Sequence, residues 1–173
     1  GMSWATAVQL LTRLEGEQWS PILWRPKGHK ARPHFPPVFA GLPTLTNVSP
    51  AAFFAGRDDP KAGHKNTQHD AKRWGANTGL IKANDAAALP ELVLRSKLMD
   101  GDSPQSDVQA AIDGEHRVVG VVVNAIDEDL KGSSQVYKDY SKGPIKPLAG
   151  LLSAAAGAER IVLLCSDHGH VLG

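Results

Sequence analysis

Three short strings in this chain carry side chains able to do chemistry. The first is "PTLTNVS" (43–49), with hydroxyls at Thr44 and Thr46 and an amide at Asn47. The second is "NAIDEDL" (124–130), with carboxylates at Asp127 and Asp129. The third is "CSDHGH" (165–170), with Asp167, His168 and His170. Carboxylate and imidazole together suit a divalent cation, zinc or manganese among them. A hydroxyl just ahead of a helix sits where free N–H groups and the helix dipole attract anions. Beside a metal, such a hydroxyl loses its proton more readily and becomes a nucleophile. Taken singly, each string also has a plainer explanation. Asp favours solvated turns for its local hydrogen bonds, and Thr-Asn ahead of a helix makes an ordinary capped turn.

The elements that must hold these strings follow from composition and period. "HRVVGVVVNAID" (116–127) and "RIVLLCS" (160–166) are rich in β-branched and apolar residues and read as buried strands. A helix is expected between them, over Pro147 to Ala156. Strand, helix and strand with wholly apolar strands imply a parallel sheet covered on both faces. The expected fold class is therefore α/β, a mainly parallel sheet flanked by helices. In such sheets ligands bind outside the carboxyl ends of the strands, and both acidic strings lie at such ends.

The rest of the chain is less strongly patterned. Ala5, Val8, Leu11 and Leu14 recur at near-helical spacing and predict an amphipathic helix over Trp4 to Leu14. "PILWR" (21–25) and "TGLIKA" (78–83) are short strand candidates. A helix is expected after "TLTNV", with Ser49 as its cap and Pro50 in its first position. Residues Ala88 to Met99 and Ser106 to Ile112 read as helices, with the loop residues "DGDSP" between them. Residues 57–77 are polar, without a strong period, and read as a loop or an insertion. The spacing of His64 and His69 does not place them on one helix face, so both, with Asp70, are expected at the surface. His116 is expected to be exposed ahead of its strand. Trp4, Trp19, Trp24 and Trp74 are expected to pack in the core or at its rim.

Composition narrows the class. The 173 residues amount to one domain, and 42% apolar with 21% charged residues is ordinary for a soluble globular chain. A net charge of +1 makes no electrostatic case for nucleic acid or membrane. The single cysteine, Cys165, cannot close an internal disulfide, and its place in an apolar run predicts a small core residue. No apolar stretch approaches the ~20 residues of a membrane span, and no signal peptide is visible. Gly1-Met2 reads as a cleavage remnant before a start residue. The expected location is the cytoplasm.

Together, and in this order, "PTLTNVS", "VVVNAIDEDL" and "SDHGH" resemble the alkaline phosphatase superfamily. The resemblance is to its PglZ branch, the bacterial phage-defence proteins of the phage growth limitation and BREX systems. It runs on through "GLLSAAAGAERIVLLCSDHGHVLG" (150–173) and is weak over 57–115. It implies a metal-dependent phosphatase or phosphodiesterase core, a hydrolase with a threonine nucleophile and two divalent metals, zinc foremost. Thr46 corresponds to the nucleophile, which also binds a metal, with Thr44 as the fallback. Asn47 corresponds to a contact with a phosphate oxygen. Asp167 and His168 match the pair that holds one metal, and Asp127 matches an acid that holds the other. His170 falls within the family's Asp-His-Gly-His string, and Asp129 is a spare acid. The implied substrate is a phosphate ester or phosphodiester, nucleic acid included, and the implied partners are other phage-defence proteins.

Family members are much longer, so the resemblance implies a partial catalytic core. The family's Asp at the end of a first strand would precede Gly1, and a further His ligand would follow Gly173. Pro50 stands where the family commonly has an arginine, and no Gly-His pair follows Asp127. About half of a two-metal site is therefore expected, with a sheet edge that invites homodimers. These departures favour an alternative, a catalytically inactive interaction module of a phage-defence complex. A third reading is nucleic-acid binding through "RPKGHKARPH" (25–34). There Arg25, Lys27, Lys30 and Arg32, and more weakly His29 or His34, would hold phosphates.

Overall fold

The computed structural model describes residues 4–20, 22, 49–56, 69–84, 88–94, 97–125 and 145–166. In chain order its elements are α1 (Trp4–Gly16), α2 (Ser49–Ala55), α3 (Asp70–Gly75), α4 (Thr78–Ala83), β1 (Glu91–Val93), β2 (Met99–Asp100), β3 (Ser103–Pro104), α5 (Ser106–Asp113), β4 (Val119–Val121) and α6 (Lys146–Gly157).

The centre is a parallel pair. β1 lies beside β4 in the register Glu91 to Val119, Leu92 to Gly120 and Val93 to Val121. The ladder is continued by Glu91 N–H donating to Val118 O and Val122 N–H donating to Val93 O. Parallel strands need a long crossover. Here it consists of the β2–β3 hairpin, which turns at Gly101 with φ +63°, followed by α5.

Alternation along the strands sorts the helices into layers. Val93, Val119 and Val121 share one face and pack with Val108, Ala111 and Ile112 of α5 and Leu151 of α6. Val108 is fully enclosed there, a burial worth roughly 1.5–3 kcal/mol. The opposite face carries Leu92 and Gly120, and Trp74 of α3 covers it. A Cβ added at Gly120 would lie 2.8 Å from Trp74 Cζ2 and 2.8 Å from Leu92 Cδ1. Helix, two-stranded sheet and helix thus form a small α/β sandwich. A second cluster joins Leu10 and Leu14 of α1 to Ile145 and to Leu152 of α6.

Several expectations are corrected. "TGLIKA" is a helix, α4, because Asn77 caps it: its side-chain oxygen accepts from Gly79 N–H at 3.0 Å and Leu80 N–H at 3.3 Å. A short apolar run does not by itself distinguish helix from strand. The described residues of Ala88 to Met99 are not helical, since Pro90 precedes β1 and pairing with β4 claims Glu91–Val93. The strand in 116–127 is shorter than expected, three half-buried residues. "RIVLLCS" forms no strand; Ile161 and Leu163 are 76% and 86% exposed. Within 57–77, residues 70–75 form α3, and 57–68 lie outside the described residues.

Other expectations are met in whole or part. α1, α2, α5 and α6 lie where helices were expected. α2 begins at Ser49 itself, which puts Pro50 inside its first turn. The buried stripe of α1 is turned from the expected one. Leu10 and Leu14 are buried, Leu11 is half-buried, and Ala5 and Val8 are exposed. Leucines stand at both 10 and 11, and helical period alone cannot choose between them. Of "PILWR" only Ile22 is described, and it is exposed.

Candidate functional site

The candidate site residues of the three strings all lie outside the described residues: Thr44, Thr46, Asn47, Asp127, Asp129, Asp167, His168 and His170. So do Arg25, Lys27, His29, Lys30, Arg32, His34, His64 and Trp24. What is described is the scaffold leading into the strings: α2 after the first, β4 and Val122 to Ala125 before the second, and Ile161 to Ser166 before the third.

These leads are joined by packing. Phe54 of α2 meets Trp74 edge-on, with ring centroids 6.1 Å apart. The same indole lies against Gly120 of β4. One aromatic ring thus connects the helix that follows Thr46 and Asn47 to the strand that precedes Asp127. Asn77 fixes the joint from the side by donating to Phe54 O at 3.1 Å. Gly56, at φ +64°, leaves the room this needs, since a Cβ there would come within 2.9 Å of the Asn77 amide carbon. Val123 and Ala125 pack on the Leu10–Leu14–Leu152 cluster, and so does Val162. The leads to Asp127 and Asp167 therefore rest on the same apolar surface.

Several polar groups elsewhere have structural partners. Asp70 is 5% exposed, not at the surface, and accepts from Arg73 Nη1 at 2.8 Å. His69 is exposed, as expected. His116 is half-buried rather than open. Its Nδ1 lies 2.9 Å from Leu89 O, and its Nε2 lies 3.3 Å from Glu91 Oε2. Arg160 donates to three carbonyls around the end of α5: Ile112 and Gly114, each at 2.8 Å, and His116. Asn84, buried, donates to Ala88 O at 2.7 Å and accepts from Val118 N–H at 2.8 Å, which ties the end of α4 to the start of β4. The Trp74 indole N–H is buried without a hydrogen-bond partner.

Cys165 is exposed, not a core residue. Neighbouring atoms still crowd the sulfur and push the thiol pKa up. Enough of its surface stays open for the residue to be reached from solvent. Of the tryptophans, Trp19 packs on the second cluster and Trp74 between α2 and the sheet, whereas Trp4 is 65% exposed.

Sequence reading missed Asn84, Arg160 and the burial of Asp70. A signal existed for one of them: Asp70 and Arg73 are three apart in a stretch that turns out helical, a pairing distance on one helix face. Nothing local marks Arg160, whose partners stand 44–48 residues away, and the bond that ties Asn84 to the start of β4 spans 34 residues. No group of three or more His, Cys, Asp or Glu that could hold a metal occurs among the described residues. Among them, too, no helix is long and apolar enough to cross a membrane. No family model, curated protein or solved structure matches the chain.

Proposed function

We propose that this chain is the partial catalytic core of a metal-dependent phosphatase or phosphodiesterase of the PglZ type, within the alkaline phosphatase superfamily. The observation that carries the proposal is the contact of one ring, Trp74, with both Phe54 and Gly120. It supports a common site for "PTLTNVS" and "NAIDEDL", because the helix after the one and the strand before the other are packed through it. The shared cluster beneath Val123, Ala125 and Val162 supports the same for "SDHGH". By donor type, the carboxylates of Asp127 and Asp167 with the imidazoles of His168 and His170 fit zinc or manganese.

In this reading Thr46 is the nucleophile. Its oxygen forms a bond to phosphorus as the bond to the leaving oxygen breaks, and the hydroxyl proton passes through solvent to that leaving oxygen. Water then cleaves the phospho-threonine and restores the hydroxyl. Asn47 donates an N–H to a phosphate oxygen and holds the ester in line. Divalent metal, when bound, neutralises the charge that develops in such a transfer. The substrate class is a phosphate ester or phosphodiester, nucleic acid included, and the setting is bacterial phage defence alongside other proteins of that system.

The test is elemental analysis of the protein purified without chelator, with a chromogenic phosphodiester assayed on the same samples. Near-stoichiometric zinc or manganese that disappears in Asp167→Ala, and turnover that disappears in Thr46→Ala, are the expected results. Bound metal without turnover moves the reading to the inactive interaction module. A folded protein with neither overturns it.

A further inference from the structure

We draw no further inference here: the strongest candidate, the exposed apolar stretch Ile161–Cys165 that follows α6, carries nothing because nothing in the structure shows what covers it.

Discussion

Two runs of this chain are nearly alike on paper and end up differently. "RVVGVVV" (117–123) and "RIVLLCS" (160–166) each open on an arginine and continue in branched apolar residues. The first supplies β4, hydrogen-bonded to β1 and covered by α5 and α6 on one face and Trp74 on the other. The second forms no strand, and among the described residues only Val162 of this run packs on an apolar cluster while Ile161, Leu163 and Leu164 face solvent. Leaving a large aliphatic side chain in water forgoes roughly 1.5–3 kcal/mol. Composition states what cover a segment would gain from. It does not supply the strand edge, or the second layer, that a strand needs.

The sharpest way to break this contrast is to shorten one side chain in each region. Ile112→Ala removes a buried side chain from the cluster behind β4. It is expected to cost about 2–5 kcal/mol, read as a lower urea midpoint. Leu163→Ala removes an exposed one and is expected to stay within about 0.5 kcal/mol. Equal losses would mean that the second run is covered after all.

Smaller effects probe how β4 is held. Gly120→Ala pushes a methyl into Leu92 and Trp74 and is expected to cost about 1–3 kcal/mol by overpacking. An unchanged midpoint would show that the indole has room to yield. Arg160→Ala leaves the carbonyls of Ile112, Gly114 and His116 without their donor, at about 1–3 kcal/mol. Arg160→Lys is expected to recover only part of this, since an ammonium cannot reproduce the planar fork. Full recovery by lysine would make the clamp a matter of charge alone.

The mildest test reads accessibility. Cys165 is expected to react with a thiol reagent in the native protein, without prior unfolding. Because its pKa is raised, less thiolate is present near neutrality. Its rate should therefore lie below that of a free cysteine and keep climbing with pH after the free thiol has levelled. Protection until denaturant is added would place the second run in a core.

Helices proved more legible in this sequence than strands. α1, α5 and α6 are long enough for a period to show, and α2 has the Ser-Pro start. The parallel pairing was legible as a class but not in its partner. β1 reads as helix from Ala88 to Met99, and only its contact with β4, across a crossover, makes it a strand. α4 turned on a single cap, Asn77, whose side chain also binds α2. The candidate site was legible as three strings of suitable chemistry. The contact that joins the leads to the first two was not, because no local pattern announces an indole packed against a strand glycine.

The second apolar cluster has a consequence for how this chain can change over generations. Ala125 and Ile145 both belong to it, so packing brings the two residues that flank 126–144 to one apolar surface. Leu10, Leu14 and Leu152 form the surface on which both flanks of 126–144 rest, so a substitution at any of them is felt on both flanks together. These three leucines accept change slowly, because one substitution must suit two parts of the chain at once.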